Sequence, residues 1–102
     1  MKEYDVFVPL RYNDGSPVEP VKLQILHARL LEFFNGVTFF PQATQGSWKV
    51  GDVTYHDEIV IYRVVGRRIS AARRFLKQLK EELKVTLQQV DILIVERDVE
   101  TL

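Results

Sequence analysis

The sequence predicts an α+β fold of the ferredoxin-like type, with its elements in the order β-α-β-β-α-β. Strand-like alternation of apolar and polar residues marks the start, the middle and the end of the chain, and two segments between these strands repeat apolar residues at helical spacing. A chain of 102 residues, 46% hydrophobic and 27% charged, forms one domain spanning residues 1–102. We therefore expect a four-stranded antiparallel sheet with two helices on one face.

The first strand and helix follow from local patterns. Alternation over Glu3–Arg11 predicts a strand, and the turn residues of segment 13–17 follow it. Pro20 suits the first turn of a helix because its missing N–H costs nothing there, and apolar spacing continues to Phe34. We expect the helix to end at Asn35-Gly36, with the glycine in the left-handed conformation.

The middle of the chain predicts a hairpin with an irregular tip. Val37–Phe40 forms its first strand, at an edge of the sheet because Pro41 cannot donate to a ladder. The polar loop Gln42–Ser47 interrupts this strand, Trp48–Val50 resumes it, and His56–Val65 returns as the strongest strand of the chain.

The second helix and last strand complete the order. Ser70 is predicted to cap the helix, whose apolar stripe runs from Ala72 to Leu83. Val90–Val95 is predicted as the last strand.

The sheet face without helices is predicted to be apolar, which is unusual for a monomer. Phe7 lies opposite the main apolar side of the first strand, and both later strands carry apolar residues on their two sides, as at Ile61-Tyr62 and Leu93-Ile94. Such a face indicates an interface or a ligand groove, and a symmetric contact would give a homodimer. The alternative is that the hairpin tip or the C-terminal tail folds across it.

Polar residues capable of chemistry concentrate in the hairpin. His56 is the candidate base, with Asp57 or Glu58 to hold its tautomer, and these three are the candidate catalytic residues. No nucleophile accompanies them, so charged strand ends are the competing interpretation. The candidate ligand-binding residues are Thr38, Trp48, Tyr55 and Tyr62. With two histidines and no cysteine, the sequence predicts no metal site, and it calls for no cofactor.

A second candidate site is electrostatic. Segment 63–84 carries eight basic residues against Glu81 and Glu82, although the whole chain has a net charge of zero. The arginines that bracket the start of the second helix are candidates for binding an anion or a nucleotide, because free N–H groups there favour negative charge. They are Arg67, Arg68, Arg73 and Arg74. The competing interpretation is a solvated helix face.

Several classes of function are disfavoured. Zero net charge removes the global field that attracts nucleic acids. The strand that would stack bases in an RNA-recognition domain, His56–Arg63, carries two acids and one aromatic residue, so nucleic acid is an unlikely partner. No run reaches the length of a membrane span, and Met1–Val8 lacks the apolar core of a signal peptide, so we expect a cytoplasmic protein without a membrane partner.

The middle third of the chain resembles small uncharacterised bacterial proteins with a G-x-T … G-x-W … D-E pattern. The matching residues are Gly36-Val37-Thr38, Gly46-Ser47-Trp48 and Asp57-Glu58. The resemblance implies a ferredoxin-like α+β domain and brings neither an activity nor catalytic residues. The same fold is similar to that of dimeric α+β barrel proteins, a likeness of fold alone.

Three functional hypotheses follow. The first is a self-associating module that binds a ligand or partner without catalysis. The second is a dimeric α+β barrel enzyme acting on a small organic molecule, with His56 as base and with Trp48 and Tyr55 lining the pocket. The third is anion or nucleotide binding by the four arginines.

Overall fold

The structure is a computed structural model that describes residues 1–102 and has the predicted order of strands and helices. The elements are β1 (Lys2–Pro9), α1 (Pro20–Phe34), β2 (Thr38–Val50), β3 (Val53–Gly66), α2 (Ile69–Thr86) and β4 (Ile94–Asp98). The strands form one antiparallel sheet in the order β2-β3-β1-β4. The fold is therefore α+β, with β1 and β3 at the centre of the sheet.

The core lies between the helices and one side of the sheet. Alternate residues of β1 and β3 are buried there, beginning with Tyr4 and Val60. They form one cluster with Leu30 of α1 and Leu79 of α2. Because both helices contribute to this one cluster, they cover the same face and leave the other uncovered. We call the latter the open face.

The helix boundaries differ from the prediction by a residue or two. α1 begins at Pro20 as predicted, but the left-handed residue at its end is Asn35, with φ 61°, rather than Gly36. Asparagine tolerates this conformation better than most residues. α2 begins at Ile69, and Arg68 is its N-cap residue, without a side-chain hydrogen bond. Ser70 therefore lies inside the first turn, and the prediction that it caps the helix is wrong. None of the helices is long and apolar enough to cross a membrane.

The hairpin is longer and more regular than the sequence suggests. β2 runs through the predicted loop and changes register once, between Phe40 and Thr44, where Pro41 lies. A two-residue turn at Gly51-Asp52 follows, and Gly51 has φ 58°, which suits a glycine in such a turn. Since β1 pairs with β3 only at residues 59–66, residues 45–57 project beyond the four-stranded sheet. We call this two-stranded projection the arm.

The last strand starts later than predicted. Residues 90–93 approach the sheet without forming regular strand, and β4 begins at Ile94. Alternation still places the side chains as expected: Ile92 is buried, whereas Leu93 is 57% exposed. The Phe7 N–H donates to the Leu93 carbonyl at 3.0 Å, which fixes this segment beside β1.

Candidate functional site

The sequence predicts that the open face is apolar, and the structure confirms this for one stripe at the end of the sheet next to the arm. Phe40 of β2 lies beside Ile61 of β3, which lies beside Phe7 of β1. Leu93 comes next, through its backbone bond to Phe7. These four residues are the apolar stripe.

A buried ion cluster, which the sequence analysis did not predict, lies beside the apolar stripe. Asp5 is only 3% exposed although it belongs to the open face. Arg63 donates to it through Nε at 2.8 Å and Nη2 at 3.0 Å, and Arg97 donates through Nη2. These bonds, led by that of Arg63, hold the pKa of Asp5 below its ordinary value. Glu3 pairs with both arginines and completes the cluster with two charges of each sign.

A groove of about 420 Å³ lies where the arm meets the sheet, bounded on its other side by residues 89–93. Phe7, Ile59 and Leu93 give it apolar walls, and Trp48 lines it from the arm. Gly46 also lines the groove. A larger residue would clash here, because its Cβ would lie 2.8 Å from Ile59 Cδ1.

Trp48 is held in place by two contacts within the arm. Its Nε1–H donates to Asp57 Oδ2 at 2.9 Å, and its ring stacks on that of Tyr55 with centroids 4.9 Å apart. Asp57 is half-buried and lines the groove. The predicted ligand-binding pair Trp48 and Tyr55 is thus brought together, with Asp57 as its hydrogen-bond partner.

His56 lies on the opposite side of the arm. Register pairs it with Ser47, whose Oγ is 2.9 Å from His56 Nδ1, while Trp48 pairs with Tyr55 on the other side. His56 lines a second hollow of about 640 Å³, which it shares with Tyr55 and Glu58 but not with Trp48. The pocket that the enzyme hypothesis requires, with His56, Trp48 and Tyr55 together, is therefore not formed. Glu58 is on the same side as His56 but pairs with Arg11, at 3.7 Å.

The hydroxyl of Ser47 is a partner of His56 that was not predicted from the sequence. The signal was available, because counting back from the turn at Gly51-Asp52 places residue 47 opposite residue 56. The pair is exposed, and no carboxylate forms a hydrogen bond with the imidazole. A third group to orient the ring, which nucleophilic catalysis by serine requires, is therefore not in place.

The other two predicted ligand-binding residues lie elsewhere. Thr38 is at the far end of β2, opposite Arg63. Tyr62 is buried on the helix-covered face, where its ring lies 4.8 Å from that of Phe39 and 6.0 Å from that of His27. Its placement follows from strand alternation: the neighbours of Ile61 on β3 face the core. Tyr62 cannot line a site on the open face, which corrects that part of the prediction.

The four arginines do not converge on one site. Arg67 and Arg68 border a shallow hollow of about 320 Å³ at the start of α2. Arg73 instead forms a two-bonded ion pair with Glu96 of β4, with both N–O distances 2.8 Å. Arg74 is exposed on α2 and forms no ion pair. The structure therefore does not assemble the predicted anion site.

Acid should weaken the fold through Glu96. Its ion pair with Arg73 lowers the pKa of Glu96 from 4.5 to about 2. A carboxylate whose pKa is lowered by folding stabilises the fold above its unfolded pKa, and that contribution is lost as pH falls from about 4.5 towards 2. We expect Glu96→Gln to lower the urea midpoint at neutral pH and to differ less from wild type as pH falls through this range. A difference that stays constant over the range would contradict this assignment.

No protein-family model, curated protein or solved structure matches the chain. The assignment of function therefore depends on the geometry of the open face.

Proposed function

We propose that this protein is a non-catalytic binding module of ferredoxin-like topology that associates with a second copy of itself through the open face. The strand order β2-β3-β1-β4, with a helix after β1 and another after β3, supports that topology. The observation that carries the proposal is that the arm places further apolar residues on the same side as the apolar stripe.

Register places the apolar residues of the arm on this side. Every second residue of β3, counting from Ile61 towards the turn, points to the open face, and each has a partner on β2 that points the same way. The last two such pairs are Trp48 with Tyr55 and Val50 with Val53. Both valines of the terminal pair are largely exposed. The open-face side of the arm therefore ends in two apolar pairs, which the Gly46–Asp57 pair separates from Ile59 and the apolar stripe.

The arm itself argues for a partner. A two-stranded hairpin is marginally stable in water unless it packs against further structure. Residues 53–57 of β3 pair with no strand other than β2, and Val50 and Val53 are largely exposed, so the tip of the arm has no cover within the chain. The open face of a second copy has the apolar surface to cover it.

The size of the face suits a standard protein–protein contact. Three strands of about eight residues, the five residues of β4 and the arm, with a spacing of ~4.8 Å and a rise of ~3.3 Å per residue, give a footprint of roughly 650 Å². A stable interface buries about 800 Å² per partner. The area of the open face is therefore close to what a stable dimer needs.

The ion cluster is compatible with burial at such a contact. Asp5 and Glu3 are paired with Arg63 and Arg97 inside one chain. Covering paired charges costs desolvation, but less than covering a charge that has no partner. A second copy can therefore cover the cluster without stranding a charge.

The test is the mass in solution, measured by light scattering over a range of concentrations. We expect wild type at about twice 11.9 kDa and Leu93→Lys near 11.9 kDa, because symmetry places two lysines in one apolar contact. Val85→Lys is the matched control: Val85 is 76% exposed on α2, away from the open face, and its variant should remain dimeric. A monomeric wild type at all concentrations, or equal masses for the two variants, would refute the proposal.

A further inference from the structure

We infer that the groove between the arm and residues 89–93 binds a small organic cation, an amine carried on an apolar or aromatic body. The inference deepens the proposed function and rests on its premise that the open face is the binding surface. Because Phe7, Leu93 and Trp48 belong both to that face and to the groove, the ligand would lie within the contact between the two copies. Three features of the groove support it: a carboxylate without a cation, a lining without basic residues, and an aromatic wall.

The carboxylate is that of Asp57. Trp48 donates to its Oδ2, and no other hydrogen bond reaches the group, so Oδ1 is free to accept. No lysine or arginine lies within ion-pair distance of Asp57, although its neighbour Glu58 pairs with Arg11. A half-buried carboxylate loses hydration that an opposite charge normally replaces. The ammonium group of a ligand would supply that charge.

The rest of the lining favours the same sign of charge. None of the thirteen residues that line the groove is lysine, arginine or histidine. The second acid in the lining is Asp91, which accepts from the Ile92 N–H at 2.8 Å and pairs with Lys80 at 3.2 Å. An anionic ligand would meet carboxylates and no positive side chain of the lining. Charge therefore selects a cation.

The apolar walls would hold the body of the ligand. Phe7, Ile59 and Leu93 supply aliphatic and aromatic surface, and the indole of Trp48 adds an aromatic wall next to the carboxylate that its N–H binds. A volume of about 420 Å³ is within the range of small-molecule sites. The groove thus combines apolar walls with one carboxylate that has no cationic partner.

Suitable probes are phenethylamine, 2-phenylethanol and 3-phenylpropionate. All three carry a phenyl group, and at neutral pH they are cationic, neutral and anionic, respectively. Trp48 is the only tryptophan of the chain, so its fluorescence, excited where the probes do not absorb, reports binding directly. We expect phenethylamine to bind about tenfold more tightly than 2-phenylethanol, as one charge-assisted hydrogen bond permits, and 3-phenylpropionate to bind most weakly.

Asp57→Asn is the decisive variant, because it keeps an acceptor for the Trp48 N–H and removes the charge. It should abolish the preference for the amine while leaving 2-phenylethanol unchanged. Glu58→Gln is its matched control, since it removes the same charge from the adjacent residue on the other side of the arm, and it should bind like wild type.

Equal binding of the amine and the alcohol, equal losses in the two variants, or no saturable response to any probe would overturn the inference. Light scattering on the same samples reports self-association separately. A dimer that shows no amine preference would refute the ligand alone, and a monomer that shows the preference would refute the dimer alone.

Discussion

Replacing Asp5 with alanine is expected to lower the free energy of unfolding by about 2–3 kcal/mol, because two guanidinium groups then lose their shared buried partner. The full cost of breaking a buried pair is larger, but Arg63 and Arg97 are more than one-third exposed and regain part of their hydration. Asp5→Asn should cost less, since it retains an acceptor. Urea unfolding at neutral pH measures both variants.

The matched comparison for Asp5 is Asp98, the last residue of β4. It pairs with Lys2 at the start of β1 and is largely exposed. Exposed pairs add little to stability, so Asp98→Ala should shift the urea midpoint far less than Asp5→Ala. Similar shifts in the two variants would show that the ion cluster adds no more than a surface pair.

Ile92→Ala is expected to lower the free energy of unfolding by about 3 kcal/mol, because it deletes buried volume and leaves a cavity. Ile92 is 1% exposed and anchors residues 90–93, which have no regular strand bonding of their own. The same residue lines the groove, so the variant should also weaken phenethylamine binding through the loosened wall.

Val90→Ala is the control for Ile92. It lies two residues earlier in the same segment and is 52% exposed, so its truncation should change stability by less than about 0.5 kcal/mol. Urea denaturation of wild type, Ile92→Ala and Val90→Ala gives the three free energies of unfolding to compare. If the two alanine variants are equally stable, Ile92 does not anchor the segment.

Patterns of apolar residues were enough to predict the order of the elements, because alternation and helical spacing are local properties. The same alternation correctly puts Ile92 and Leu93 on opposite sides, although only the structure shows that Ile92 faces the core. Boundaries depend on finer balances. The loop predicted after Pro41 proves to be strand, because β3 provides a continuous partner and one change of register accommodates the proline.

The candidate site was less predictable, since it depends on which residues meet across strands. Trp48 and Tyr55 were singled out for their chemistry, but their stacking follows from register about the turn. Asp5 gave no sign of burial in the sequence, because a lone acid in an alternating strand normally faces solvent. Its partners lie 58 and 92 residues away, on two different strands.

The edges of the sheet are poorly suited to the strand-by-strand addition that builds fibrils. An exposed edge strand offers free N–H and C=O groups, which template the addition of further chains. β2 is such an edge and is thirteen residues long, but Pro41 lacks an N–H and the adjacent change of register breaks the row of donors. The opposite edge, β4, has five residues, of which the last three are charged. Both edges are thus poor templates for open-ended growth, which leaves faces rather than edges for association.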